Sequence, residues 1–280
     1  NFRKLEEGNP EETELWQRFR DLSLEVFSRL YDRMGIEFDN YNGESFYSSR
    51  IPAVVDLLKE KELLTESEGA QVVMLDDLNL PPCIILKSDG TTIYASRDLA
   101  AAIYRHETYN FYKNIYVVGI PQKLHFKQVF AVLKKAGFEY ADDCVHVGFG
   151  LVKFKDNTAF STRKGNIVLL EDLLNEAVSK TREIIVTNNM ARGGGLSEEQ
   201  IDDIAEKVGL GAVTYTYLKA GRERDIYFDW NEILDFEAGL FDYVDAQYPE
   251  LFNKIREEKK LTEEIENMLN EAITSYKEQR

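Results

Sequence analysis

Between residues 72 and 154 short β-rich runs alternate with stretches of helical period, and this alternation constrains the fold more than any other feature. Val72–Leu75, Cys83–Lys87 and Thr91–Ala95 are β-rich, separated by the turn residues Asp76-Asp77 and Ser88-Asp89-Gly90. Arg97–Tyr109 reads as a helix, Lys113–Gly119 as a buried strand, Gln122–Ala136 as a helix, Cys144–Phe149 as a strand and Leu151–Phe154 as a further extended run. Strands alternating with helices predict parallel βαβ units, so the expected class is α/β with a Rossmann-like parallel sheet. Ligands of such sheets bind beyond the carboxyl ends of the strands. Gly119-Ile120-Pro121-Gln122 follows a strand and opens a helix, which makes it a candidate ligand loop.

Helical patterns flank this section. Residues 11–34 carry Leu15, Phe19, Leu22, Val26, Phe27 and Leu30 at three- and four-residue spacing, with Gly35 as a stop. Residues 36–47 look extended with a turn at Asn42-Gly43, and Ile51–Leu64 is a second helix with Pro52 in its first turn. Glu171 to about Asn189 is helical, Gly193-Gly194-Gly195 reads as a linker, and Ser197 with Gln200 forms a capping box. An all-helical carboxyl-terminal part is expected from there on. One helix runs from about Asn231 to Tyr248 and ends before Pro249; another starts near Thr262 with Ile265, Met268, Leu269 and Ile273 on one face.

Composition narrows the function classes. With 44% hydrophobic and 30% charged residues in 280, the chain can bury a core, which excludes wholesale disorder. It has no run of 18 apolar residues and no apolar stretch in Asn1–Glu7, so neither a membrane-spanning helix nor a secretory signal is expected; the opening without Met reads as a fragment. Cys83 and Cys144 sit in apolar, strand-like settings outside any C-x-x-C pair and read as two buried, reduced thiols of a cytoplasmic protein. A net charge of −16 argues against wrapping long nucleic acid by bulk electrostatics. From Lys153 to Arg192, however, basic residues outnumber acidic ones. That island fits a phosphate site or a solvated mixed-charge face, and net charge does not separate the two.

Three segments offer chemistry. Ser161-Thr162-Arg163-Lys164-Gly165 joins two cations, two hydroxyls and a glycine that permits close backbone approach, a set suited to polyphosphate; taken alone, an exposed basic turn is the stronger reading. Tyr94 and Asp98 lie at a strand-to-helix junction, where Asp98 either pairs with a cation, bidentately for a guanidinium, or charges a helix N-terminus. Gln122 and His125 open the next helix on the ligand side, and His125 and His146 each also read as structural histidines. No Walker-type loop is present, and no G-x-G-x-x-G follows an expected strand, which counts against a nucleotide-dependent oxidoreductase.

In their order these segments resemble arginyl-tRNA synthetases. The resemblance rests on Asp89-Gly90-Thr91-Thr92-Ile93-Tyr94-Ala95-Ser96-Arg97-Asp98-Leu99, on Tyr116-Val117-Val118-Gly119 with Gln122-x-x-His125-Phe126, and on His146-Val147-Gly148-Phe149-Gly150. Phe160-Ser161-Thr162-Arg163-Lys164-Gly165-Asn166 is similar to that family's form of the class I "KMSKS" loop, and Val208-Gly209-Leu210-Gly211-Ala212 also fits. The resemblance covers about residues 1–237 and implies an arginine–tRNA ligase, present as a partial class I catalytic domain. It implies Tyr94, Asp98 and Gln122 as arginine-binding residues and Ser161, Arg163 and Lys164 as catalytic. It implies His125, His146, Phe149, Thr162 and Gly165 as ATP-binding. Arginine, ATP with Mg2+ as its counter-ion, and tRNA(Arg) are the implied partners of a cytoplasmic monomer. The implied division is a catalytic part to 170, a stem-contact region over 171–237 and a helical tail over 238–280.

Three features depart from the family pattern. None of His106, His125 and His146 lies in a "HIGH" string, so little ATP–pyrophosphate exchange is expected. Ala159 and Thr162 hold the lysine positions of the "KMSKS" pattern. Residues 239–279 resemble the carboxyl-terminal helices of the ATP synthase alpha subunit, which leaves an inactive arginine- or tRNA-acceptor-binding remnant, or a designed or chimeric chain, as alternatives.

Overall fold

A computed structural model describes residues 4–5, 8–154, 168–191, 193–228, 243–244, 246–258 and 262–278. The fold is α/β, with parallel strand pairs and a largely helical carboxyl-terminal part. It gathers into two compact units, 1–151 and 152–280.

The first unit opens with helix α1 (Pro10–Met34), started by Asn9, whose side chain accepts the Glu11 N–H at 3.1 Å, and ended by Gly35 at φ 65°. Its apolar stripe is uncovered: Leu15, Phe19, Leu22 and Phe27 are each about half exposed. Residues 44–50, expected to be extended up to 47, wind into a 3-10 segment that turns Tyr47 into the core against Tyr104. Helix α2 (Ile51–Glu60) stops short of Leu64 because its end closes on itself: Leu63 N–H reaches Leu58 C=O and Glu62 N–H reaches Lys59 C=O, with Glu62 at φ 55°.

The chain then forms β1 (Leu64–Ser67), β2 (Ala70–Val73) and β3 (Cys83–Leu86), an antiparallel sheet in the order β1-β2-β3. The early β-rich runs, separated by turns rather than helices, thus stand apart from the parallel pairing expected of the βαβ units. The reason is local: Glu68 and Gly69, both at positive φ (52° and 78°), make the two-residue turn whose twist suits a hairpin. Thr91–Ala95 is likewise not a strand. Only Thr92 bridges to Leu86, and helix α3 (Tyr94–Tyr109) has already begun at Tyr94.

The expected βαβ unit is β4 (Asn114–Gly119), a 3-10 turn at Ile120–Gln122, α4 (Lys123–Lys135) and β5 (Cys144–Phe149). Here β4 and β5 pair in parallel from Asn114 opposite Cys144 to Gly119 opposite Phe149. One core cluster joins Leu58 of α2, Val73 and Ile85 of the antiparallel sheet, Leu99 of α3 and Val129 and Leu133 of α4. Only one face of β4 meets it: Tyr116 is buried, while Ile115 and Val117 face out. Cys83 and Cys144 are free and buried; burial pushes their thiols from 9.0 up to about 12 and about 11, so both stay neutral.

In the second unit β6 (Val152–Phe154) is followed by α5 (Leu170–Ala191), α6 (Glu198–Lys219), β7 (Ile226–Phe228), α7 (Pro249–Glu258) and α8 (Glu263–Glu278). The region past 171 is therefore not wholly helical. Residues 226–228 pair in parallel with β6, and Lys153 meets Asp225 at 2.7 Å. Helical residues 243–244 and 246–247 precede Pro249, and Pro249 itself begins the next helix, because its fixed φ and missing N–H suit a first turn. Of the helix expected over 231–248, residues 231–242 lie outside the described ones. Val244, Leu251, Ile265 and Ala272 form a small core beside α7 and α8.

The capping box stands as expected: Ser197 Oγ accepts the Gln200 N–H at 3.2 Å, and the Gln200 side chain accepts the Ser197 N–H at 2.9 Å. Helices α5 and α6 approach closely at Gly209, where an added Cβ would lie 2.8 Å from the Val178 Cα; at Gly211 it would meet nothing within 4 Å. Gly209→Ala is expected to cost about 1–3 kcal/mol by overpacking. Gly211→Ala should stabilise by up to about 1 kcal/mol through helix propensity. Urea midpoints of the whole chain moving in the same direction for both would contradict this packing.

Candidate functional site

The site begins at the turn between β3 and α3. Asp89 Oδ1 accepts both the Thr91 N–H at 3.0 Å and the Thr91 hydroxyl at 2.6 Å, and Gly90 takes φ 77°. Those bonds hold the Asp89 carboxyl below its usual 3.8. Five residues after Thr91, Ser96 is wholly buried, and its Oγ lies 3.1 Å from Ile85 O, 2.8 Å from Ile93 O and 3.1 Å from Ile93 N. One hydroxyl thus accepts the N–H just before the helix and donates to a carbonyl beside it. It fastens the start of α3 to the end of β3. No sequence reasoning had marked Ser96; its position three residues into a helix, in a run of small residues, was the available signal.

This anchor sets the directions of the next side chains. Arg97, 13% exposed at its side chain, bonds Thr92 Oγ1 at 3.2 Å and meets Glu44 at 3.7 Å, and its guanidinium carbon lies 5.9 Å from the Tyr94 ring centre. Tyr94 and Asp98 are four residues apart, so they share a face of α3. Tyr94 is 64% exposed and lines, with Trp16, Phe27, Pro52, Thr92 and Arg97, a groove of about 1200 Å³. Asp98 and Gln122 are not among the walls of that groove.

Asp98 instead meets the other candidate loop. Its Oδ2 lies 2.6 Å from His125 Nε2, the Asp98 side chain being about one third and that of His125 about one fifth exposed. An ionised carboxylate only accepts, so Nε2 carries the proton. His125 is the third residue of α4, which follows the carboxyl end of β4, and Gln122 caps that helix three residues earlier. Gln122 is exposed, and among the described residues no hydrogen bond joins it to Tyr94 or Asp98. The loop before it packs down on β5: a Cβ at Gly148 would lie 3.0 Å from Ile120 Cγ1.

Below the pair, Tyr116 is buried, and its hydroxyl accepts from Asn114 at 2.8 Å. Burial pushes that hydroxyl well above its usual 10.0; Arg105 opposes the shift, and the nearby charge of Asp98 adds to it. Arg105 stands between the Tyr47 and Tyr116 rings at 5.5 and 5.4 Å. His146 donates from Nε2 to Val118 O at 2.8 Å and stacks on Phe126 at 4.8 Å, while Phe149, 40% exposed, ends β5. Ser161, Thr162, Arg163, Lys164 and Gly165 lie outside the described residues. Of the basic island, Lys153, Lys180 and Arg182 are paired: with Asp225 at 2.7 Å, with Glu176 at 3.2 Å, and with Asp202 at 2.6 Å and Glu198. All three cations are thus matched by neighbouring carboxylates.

Comparison with known proteins gives one family. The family model described as tRNA synthetases class I (R), catalytic domain, matches residues 1–230. An arginine–tRNA ligase of Clostridium botulinum (strain Alaska E43) is 55% identical over 265 residues, 95% of this chain and 46% of that protein. The arginine–tRNA ligase of Clostridium perfringens (strain 13) is 54% identical over 265 residues, 94% of this chain and 46% of that protein. The chain therefore spans under half the length of the curated relatives it matches. With 265 of 280 residues in the match, a stretch as long as 239–279 cannot lie wholly outside it, so the match continues past residue 237. Among solved structures, the arginyl-tRNA synthetase of Plasmodium falciparum aligns with a TM-score of 0.74 and 28% identity, covering 90% of this chain and 42% of that one. That of Thermus thermophilus, at 0.70 and 19%, covers 93% and 48% and shows likeness of fold.

Ser96→Ala is expected to cost about 1–3 kcal/mol, because it leaves buried backbone groups without a partner. Denaturant unfolding of the whole chain measures it; an unchanged midpoint would mean that the start of α3 is held by something else.

Proposed function

The chain belongs to the family of class I tRNA synthetases (R), catalytic domain, and from that premise we propose that it carries the arginine-binding part of an arginine–tRNA ligase. Such an enzyme joins the arginine carboxylate to the α-phosphate of ATP as an adenylate, with release of pyrophosphate, and passes the arginyl group to a terminal ribose hydroxyl of tRNA, with release of AMP. The observation that carries the reading is the carboxylate of Asp98, one helical turn from the Tyr94 ring and bonded to the turn that Gln122 opens. A planar guanidinium offers five N–H donors in a fixed fork, and a carboxylate takes two of them side by side. The Tyr94 hydroxyl and the Gln122 carbonyl oxygen would take others. A lysine ammonium presents a point charge and leaves such acceptors unmatched, so a site of this kind rejects it.

In the same proposal Ser161, Arg163 and Lys164 face the ATP phosphates. There two cations and a hydroxyl stabilise the charge that grows as pyrophosphate leaves. Mg2+ enters with ATP as part of that substrate. Thr162 and the Gly165 backbone bind the phosphates, and His146 and Phe149 flank the adenine at the strand ends. A single chain working in the cytoplasm, divided after residues 170 and 237, completes the proposal. Among the described residues no helix is long and apolar enough to cross a membrane.

The test is calorimetric titration of the chain with arginine and with lysine, followed by arginine-dependent ATP–pyrophosphate exchange. Asp98→Ala is expected to lower arginine affinity by about 2 kcal/mol or more, the scale for removing one partner of a charged pair. Lys180→Ala, which removes a cation paired with Glu176, should leave it unchanged. Equal losses in both variants would contradict the site; binding without exchange would favour an arginine-binding module that forms no adenylate.

A further inference from the structure

The bond between Asp98 and His125 links residues 27 apart in sequence and two different helices. It is short, at 2.6 Å, as expected for a hydrogen bond to an ionised acceptor. It engages Oδ2, and among the described residues no hydrogen bond engages Asp98 Oδ1. A carboxylate has about four lone-pair positions, so after the imidazole has taken one, room for a planar two-pronged donor remains. The imidazole is itself braced: its ring stands edge-on to Phe126 at 5.2 Å, and Phe126 is buried and stacked on His146, which is bonded across the strands to Val118 O. A chain of rigid contacts thus runs from the β4–β5 pair through two aromatic rings to one oxygen of Asp98. Without it, the Asp98 side chain, about one third exposed, would be free to turn toward water.

We propose that His125 is the positioning residue of the arginine subsite, its Nε2–H holding the Asp98 carboxylate in the rotamer that receives the guanidinium. This rests on the reading of Asp98 as the partner of arginine. It assigns His125 to the arginine side of the site, through another side chain rather than by contact with substrate. A second consequence follows from placement: because His125 lies three residues after Gln122, the same bond fixes the first turn of α4, and with it Gln122, relative to the face of α3 that bears Tyr94. Three acceptors from two helices are brought to fixed spacing by one donor, the preorganisation that binding a flexible cation needs.

The experiment pairs two measurements on the full chain. The first is nitrogen-15 NMR of labelled histidine in the wild type and in Asp98→Ala, without arginine. The wild type should show His125 in the Nε2–H form with a downfield, slowly exchanging ring proton, and Asp98→Ala should lose that signal. The second is arginine calorimetry of His125→Phe, which keeps a ring but no donor, and of His125→Gln, which puts an amide N–H near the place of Nε2. His125→Phe should weaken arginine roughly tenfold to a hundredfold, and His125→Gln should recover most of that loss, with circular dichroism unchanged in both. Full affinity in His125→Phe, or equal weakening in both variants, overturns the positioning role while the wild type still binds arginine. No arginine binding by the wild type, with the ring signal intact, instead overturns the reading of the site and this role with it.

Discussion

A single buried hydroxyl decides where the candidate site can be. Ser96 ties the first turn of α3 to the last residues of β3, and the helix starts at Tyr94 because of it. Move that start by one residue, and every side chain on α3 rotates by about 100°. Tyr94 and Asp98 would then face other directions, and the core residues Leu99 and Ala102, both essentially inaccessible, would leave the cluster they share with α2 and α4. Placement of the functional face and packing of the core are therefore one constraint.

The parallel pair supplies the other half of the geometry. Strand β4 ends at Gly119, the loop folds down over Gly148, and α4 rises with Gln122 and His125 in its first turn. Carboxyl ends of parallel strands are where loops are free to carry function while the sheet stays fixed. The Asp98–His125 bond joins the two halves. Exposed Ile115 and Val117 on the outer face of β4 show that this pair has one covered side, whereas parallel sheets are as a rule covered on both.

Where local signals decided structure, the sequence was readable. The 11–34 helix and its glycine stop, the Ser197 capping box and the β4–α4–β5 unit follow from spacing and caps a few residues apart. Non-local contacts were not readable. Thr91–Ala95 has β-prone composition, and only the bond from Ser96 to Ile85, eleven residues back, turns its second half into a helix. The hairpin at Glu68-Gly69 needed a non-glycine at positive φ, which composition does not announce. Pro249 was ambiguous because proline both ends one helix and begins another. At the candidate site Asp98 and His125 were each marked, yet for different ligands, since nothing within their own segments says that they touch. Residues 161–165, proposed for the ATP phosphates, lie outside the described residues, and that reading rests on their sequence.

The central claim is that one carboxylate on α3 and the opening turn of α4 form a single receptor for a guanidinium. Mapping backbone amide shifts of the nitrogen-15-labelled chain during titration with arginine, with lysine as the control, tests it most directly. The account predicts saturable shifts concentrated in Tyr94–Leu99 and Gly119–Phe126, absent with lysine. Shifts of the same size with both amino acids, or shifts gathered in the second unit instead, would contradict it.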